Sequence, residues 1–324
     1  MPHPMPTDPE VLAYIARSDA FYPPDAVNFS LAEQRGWYDK YALVMRAPLP
    51  EGVTFADIAV PAQNPARKIP ARRYQPPQTE QADTVILYLH GGGYILGGLE
   101  SHHDVCAELC ARTGLPLVSP DYRLAPEHIH PAQVEDTQVG YAFLTAQYGR
   151  VIVGGDSAGA GLAMALALRC KARGLPVQLG QFLIYGGFGG DMTRGSFIEN
   201  ADAPMLTTAD LMYYYKMRTG GRDRSAEFDP DLKPLLAPDF SGLPPSAIVS
   251  ADIDPLRDDS RELAEKLRAA GVPAVWRNEP QLVHGYLRAR NMSRRAAESF
   301  AWIVEAVRDM AAGEFNAKHP APAA

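Results

Sequence analysis

The sequence predicts an α/β fold, with a mostly parallel central sheet flanked by helices and a small helical cap. Three observations carry that prediction. Short apolar runs rich in β-branched residues recur from residue 84 onward, as the buried strands of a parallel sheet do. Helical stretches lie between most of them, which makes βαβ units. The alternation then fails once, for about 55 residues between Gly186 and Phe240. An insertion after a strand is where an α/β enzyme would carry a lid.

Taken in order, residues 11–45 read as helical, with Pro23-Pro24 dividing the run because proline removes a backbone donor and crowds the preceding turn. Residues 53–60 and 68–74 alternate apolar and polar positions, as a half-exposed antiparallel pair does. Strands are then expected at 84–89, 115–119, 151–153, 182–185, 247–250 and 274–277, and helices at 105–113, 133–147, 158–173 and 261–270. Gly174 and Gly271 stand just past two of these helices, where a left-handed cap is wanted. The interrupted region, 191–217, holds Tyr213-Tyr214-Tyr215 on a helical pattern. The resulting organisation is one catalytic unit in two parts, 51–190 and 226–316. Helices in 1–50 and an insertion at 191–225 form the cap, and the tail 317–324 is expected to be disordered.

The 324 residues are 46 % hydrophobic and 21 % charged, which argues for a sizeable core and against a disordered chain. Net charge is −7 with no Lys/Arg block, so the electrostatic footprint of a nucleic-acid binder is missing. The 29 prolines are spread along the chain and read as loop punctuation. No run reaches the roughly 18 apolar residues of a membrane span, and MPHPMPTDPE lacks a basic region followed by an apolar one. Three cysteines, an odd number in a chain of this size, fit free thiols in a reducing cytoplasm. Neither a nucleic acid nor a membrane is expected as partner, and a homodimer is compatible with the sequence.

The chemistry is carried by Gly155-Asp156-Ser157-Ala158-Gly159, placed between an expected strand and an expected helix. That is the G-x-S-x-G pattern in strand–turn–helix context. The tight turn strains the serine and points its hydroxyl out at the sheet's C-terminal edge, while the flanking glycines remove side chains that would collide with neighbours. A second element, His90-Gly91-Gly92-Gly93, follows the strand at 84–89 directly. Glycines there let backbone N–H groups approach a ligand. Two of them with the N–H of Ala158 would form an oxyanion hole, and His90 would brace the loop. A serine nucleophile of this kind takes its acid and base in the order Ser…Asp/Glu…His. Among eight histidines only His284 and His319 come late enough, and His319 is in the tail; His284 is the base by elimination. Asp252 and Asp254 both follow the strand at 247–250 and compete for the acid's place, whereas Asp258 and Asp259 fall in the first helical turn, where acids are favoured. Pro255 favours Asp254 as the loop residue.

These motifs resemble the hormone-sensitive-lipase-like carboxylesterases, the bacterial family IV with an α/β-hydrolase fold. The resemblance covers residues 70–287. It includes His90–Gly93 followed by Tyr94, Asp121-Tyr122-Arg123-Leu124-Ala125-Pro126-Glu127, the GDSAG form of the serine motif (which resembles one subgroup), Asp254-Pro255-Leu256-Arg257-Asp258 and His284-Gly285. The run from Glu199 to Leu206 is similar to the family's cap. The resemblance implies a triad of Ser157, Asp254 and His284, with Gly92, Gly93 and Ala158 as oxyanion donors. It also implies short to medium acyl esters as substrates, without cofactor or metal. Two departures stand out: Ile184-Tyr185 leads into Gly186-Gly187-Phe188-Gly189-Gly190 instead of a proline, and Asp252 replaces a common glycine. His102, His103, Cys106 and Cys110 have the residue types of metal ligands, but they match a packed helix start in the family. Cysteines at i and i+4 of a helix are also poorly aimed for a disulfide. Tyr213–Tyr215, with Trp37 and Tyr38, read as cap packing. Two other activities fit parts of the pattern: an amidase or deacetylase on the same scaffold, and a non-catalytic small-molecule receptor of the kind that loses the histidine retained here as His284.

Overall fold

The computed structural model describes residues 5–21, 23, 28–77, 82–224 and 227–320. Eight strands form one sheet: β1 (Thr54–Gln63), β2 (Ala66–Gln75), β3 (Thr84–Leu89), β4 (Leu117–Pro120), β5 (Arg150–Asp156), β6 (Gly180–Ile184), β7 (Ser246–Ile253) and β8 (Ala274–Val283). Their spatial order is β1-β2-β4-β3-β5-β6-β7-β8. β2 runs antiparallel to both neighbours, and every pairing from β4 to β8 is parallel.

Period-two alternation sends each strand's side chains into two separate cores. Ile86 and Tyr88 of β3 join Ile152, Phe182 and Val249 on one face, beneath α3 (His103–Thr113) and α9 (Arg294–Ala312). Val85, Leu87 and Leu89 join Val153, Leu183 and Ile248 on the other, beneath α4 (Ala132–Tyr148), α5 (Ala158–Ala172) and α8 (Arg257–Ala269). That double burial is why β3 reads as an unbroken apolar run.

The expected strands and helices are all present, with shifted ends. β8 runs six residues beyond the expected end at residue 277, through Pro280. It is the edge strand, and there a proline's missing N–H breaks no ladder bond. Gly174 and Gly271 take positive φ, +61° and +74°, just past α5 and α8. The N-terminal helical run is α1 (Pro9–Phe21) and α2 (Leu31–Met45). α2 starts at a Ser30/Glu33 capping box; of the Pro23-Pro24 break, Pro24 lies outside the described residues. The insertion carries α6 (Ser196–Glu199) and α7 (Thr208–Arg218), the latter capped by Thr207 and Asp210. The tail departs from expectation: Ala317 belongs to α10 (Phe315–Lys318). Lys318 pairs with Asp309 at 2.6 Å, and the His319 ring lies 4.8 Å from that of Phe315. Those contacts hold the tail's first residues on α9; residues 321–324 lie outside the described residues.

Candidate active site

The site forms where the strand order reverses. The chain goes from β3 to β4 on one side and then to β5 on the other, so the loops leaving β3 and β5 diverge and open a crevice at the strands' C-terminal ends. Leu89 at the end of β3 pairs with Gly155 of β5, which sets 90–93 beside the 155–159 turn. Both outer glycines of that turn are required by this proximity: a Cβ on Gly155 or on Gly159 would run into the Leu89 carbonyl oxygen. Ser157 takes φ +52°, ψ −118°, a strained conformation for a residue with a Cβ. It is held by its own N–H donating to the Ile184 carbonyl at 2.8 Å.

Ser157, His284 and Asp254 come together from three separate strand ends. His284 Nε2 stands 3.0 Å from Ser157 Oγ, and His284 Nδ1 stands 2.7 Å from Asp254 Oδ2. Asp254 is fully buried. Its second oxygen accepts the Leu256 N–H at 2.9 Å, and its backbone carbonyl accepts Asn200 Nδ2 at 3.0 Å. Asp252 faces elsewhere, with Oδ1 accepting from Asn278 Nδ2 of β8 at 2.8 Å. Gly285, at φ +73°, turns the chain just after His284. Tyr14 of α1 donates to the Gly285 carbonyl at 3.0 Å, and the Tyr185 ring packs 4.8 Å from the imidazole.

The glycine loop is braced from behind. The Asp156 carboxylate accepts the Tyr88 hydroxyl at 2.8 Å and the Gly91 N–H at 3.0 Å, with His102 Nε2 at 3.3 Å. Burial opposes its ionisation, but the His102 side chain and the Tyr88 hydroxyl outweigh burial and hold the carboxyl well below the usual carboxylate range. His90 stacks on Tyr122 with ring centroids 4.2 Å apart, and its Nδ1 stands 2.8 Å from the Gly91 carbonyl oxygen. Burial, reinforced by His102, pushes its pKa down to about 3, so His90 is neutral and braces the loop as the sequence implies. Among the described residues, no backbone or side-chain acceptor takes the N–H of Gly92, Gly93 or Ala158. Gly92 and Gly93 have positive φ, +119° and +59°, and the Tyr214 ring of α7 sits where a Gly93 side chain would be.

The cavity over these groups has a volume of about 760 Å³ and is mostly apolar. Its walls come from the sheet edge, α1, α2, the 186–190 loop and α7. The His102/Cys106 region is packing: His103 Nδ1 stands 2.9 Å from the Tyr74 hydroxyl, and all three cysteines are free and buried. Sequence reasoning missed Tyr14, Asn200 and Asp259. Asp259 Oδ2 accepts the N–H groups of Phe188 at 2.6 Å and Gly190 at 3.3 Å, replacing the expected proline as the constraint on the glycine-rich floor. The available signal was an acid in the first turn of α8 facing a loop of glycines.

Fold and site geometry define an α/β hydrolase, and the comparisons agree on that class. A model described as the alpha/beta hydrolase fold matches residues 86–288. Esterase LipI of Mycobacterium tuberculosis is 37 % identical over 251 residues, covering 75 % of this chain and 78 % of LipI. The ethyl acetate hydrolase of Pseudomonas putida is 30 % identical over 286 residues, covering 85 % and 89 %. The crystal structure of an esterase from the bacterial hormone-sensitive lipase family superimposes with a TM-score of 0.83 at 29 % identity, covering 95 % of this chain and all of that one. The chain belongs to the α/β-hydrolase family, among its hormone-sensitive-lipase-like carboxylesterases, and is a carboxylic-ester hydrolase.

Proposed function

We propose that this esterase hydrolyses short- to medium-chain acyl esters through a Ser157–His284–Asp254 triad and an acyl-enzyme intermediate. The single observation that supports the reading is the unbroken relay from buried Asp254 through His284 to Ser157 Oγ at the cavity floor. His284 takes the Ser157 proton as Oγ attacks the ester carbonyl. Asp254 keeps the His284 Nδ1 proton in place and stabilises the imidazolium. The N–H groups of Gly92, Gly93 and Ala158 receive the oxyanion, each worth roughly 3–4 kcal/mol of transition-state stabilisation. His284 then gives its proton to the departing alcohol, and water repeats the cycle on the acyl-enzyme. No cofactor takes part in these steps.

α1, α2 and residues 191–225 act as the cap. The cavity's size and the name of the Pseudomonas putida relative, ethyl acetate hydrolase, support acyl chains from acetyl to about octanoyl. No helix among the described residues is long and apolar enough to cross a membrane. Three buried free thiols fit action in the cytoplasm on a dissolved small molecule.

The test is covalent. An organophosphonate should label Ser157, and Ser157→Ala should abolish labelling and lower kcat by about 10⁶-fold, as loss of a triad serine does. Labelling elsewhere with activity retained in Ser157→Ala would refute the assignment. A parallel panel of 4-nitrophenyl esters and anilides separates the esterase from an amidase on the same scaffold, with the anilides expected to be poor substrates.

A further inference from the structure

One wall of the cavity carries a cation that ester hydrolysis itself does not require. Arg288 is the third of the four residues of the short turn Tyr286–Ala289, four residues beyond His284, and lines the same cavity. Its Nη1 donates to the Ser101 carbonyl at 3.0 Å and its Nη2 to the Tyr38 hydroxyl at 3.1 Å. The guanidinium carbon sits 5.2 Å from the centre of the Tyr38 ring and 5.5 Å from that of Tyr41. These partners are all neutral. Among the described residues no carboxylate stands within ion-pair distance of Arg288, although Asp39 and Asp156 feel its charge through space. Arg290, two residues on, is paired with both Asp104 and Glu108. A guanidinium has five N–H donors in a planar fork matched to a carboxylate, and two of the five in Arg288 have partners among the described residues.

The other charged groups around the cavity are engaged. Arg218 donates to the Asp231 carbonyl and stacks on Tyr94, and Lys233 donates to the Arg224 carbonyl. Asp191 and Asp210 accept from their own turns, at Thr193 and Thr207, and Asp259 holds the floor loop. Asp19 remains, exposed on α1.

Mechanism decides which half of the substrate meets Arg288. The leaving oxygen must face His284 Nε2, because that atom delivers its proton. The alcohol half therefore extends along the wall formed by His284 and the turn after it, which Tyr14 ties to α1 through Gly285. We infer that Arg288 forms an anion subsite for the alcohol half of the ester, so that preferred substrates carry a carboxylate on the leaving group. The inference rests on the proposed triad and deepens it by naming the substrate class.

The experiment compares 3- and 4-acetoxybenzoate with their methyl esters at pH 8. The measured quantity is the ratio of kcat/KM, anionic over neutral, in the wild type and in Arg288→Gln. Comparing the two proteins cancels the difference in leaving-group reactivity. Arg288→Gln should lower the ratio at least tenfold for one of the isomers, and Arg288→Lys should recover part of it. An unchanged ratio for both isomers overturns the subsite and leaves the triad standing. Failure of the wild type to hydrolyse even the methyl esters counts against the triad reading instead. A readout on the wild type alone covers loss of the folded variant: benzoate should inhibit more tightly than benzamide, and equal inhibition also overturns the subsite.

Discussion

Asp254→Asn tests the triad at the point where geometry makes the sharpest claim. Asp254 offers two oxygens to two donors: Oδ1 to the Leu256 N–H at 2.9 Å and Oδ2 to His284 Nδ1 at 2.7 Å. An asparagine in the same buried position keeps its single oxygen on the Leu256 N–H, since turning it round would set two donors against each other. Its NH₂ then faces His284 Nδ1 and donates to it. The imidazole is driven to the tautomer with its proton on Nε2, pointing at Ser157 Oγ, and it no longer accepts the serine's proton. A tautomer error of this kind costs on the order of 10⁴ in kcat, or about 5.5 kcal/mol in the barrier. Asp252→Asn changes only a contact with Asn278 across β7 and β8 and should cost less than tenfold. The assay is the initial rate on 4-nitrophenyl butyrate for both variants, with thermal melts to confirm that each is folded. Losses reversed in size, or an Asp254→Asn enzyme within tenfold of wild type, would refute the argument.

Other outcomes follow from particular contacts. Burial raises the Asp259 carboxyl to about 7, against the backbone N–H groups of Phe188 and Gly190, which favour the charged form. The folded state therefore binds a proton more tightly than the unfolded chain. Asp259's stabilising contribution is complete below about pH 4 and is lost as pH rises through about 7, a span worth up to roughly 4 kcal/mol. Melting curves from pH 4 to 8 should fall more for wild type than for Asp259→Asn, and parallel curves would exclude this role. Gly159→Ala drives a Cβ into the Leu89 carbonyl and should yield little folded protein. Gly114→Ala, at φ +73° with open space around it, should fold and lose only about 1–2 kcal/mol, the cost of a Cβ in the left-handed region. Rates on dissolved acetyl and butyryl esters should follow simple saturation, with no jump when an emulsion forms. A sharp rise at that point, with preference for chains beyond about ten carbons, would contradict a water-filled short-chain pocket.

Some features were legible because their causes are local. A strand buried on both faces must be apolar throughout, so 84–89 could be read to the residue. A tight turn packed against a neighbouring strand admits only glycine at two places, so the 155–159 turn was legible, as was the glycine loop at 90–93. His284, which stands between Ser157 and Asp254 in the structure, could be singled out because chain order left one candidate. The choice between Asp254 and Asp252 was of another kind. Both follow the same strand, and which of them meets His284 depends on where β8 places Asn278 and on the Leu256 N–H, contacts made between distant segments. The full length of β8 through Pro280 depends on its being an edge strand, a property of sheet order that no window of sequence contains. The ordered start of α10 depends on Asp309 lying within reach of Lys318. Local sterics and periodicity are written into short stretches of chain. The pairing of a buried carboxyl with loop amides, as at Asp259, or of an arginine with two tyrosines at the cavity wall, exists only once the packed chain has excluded water and brought those segments together.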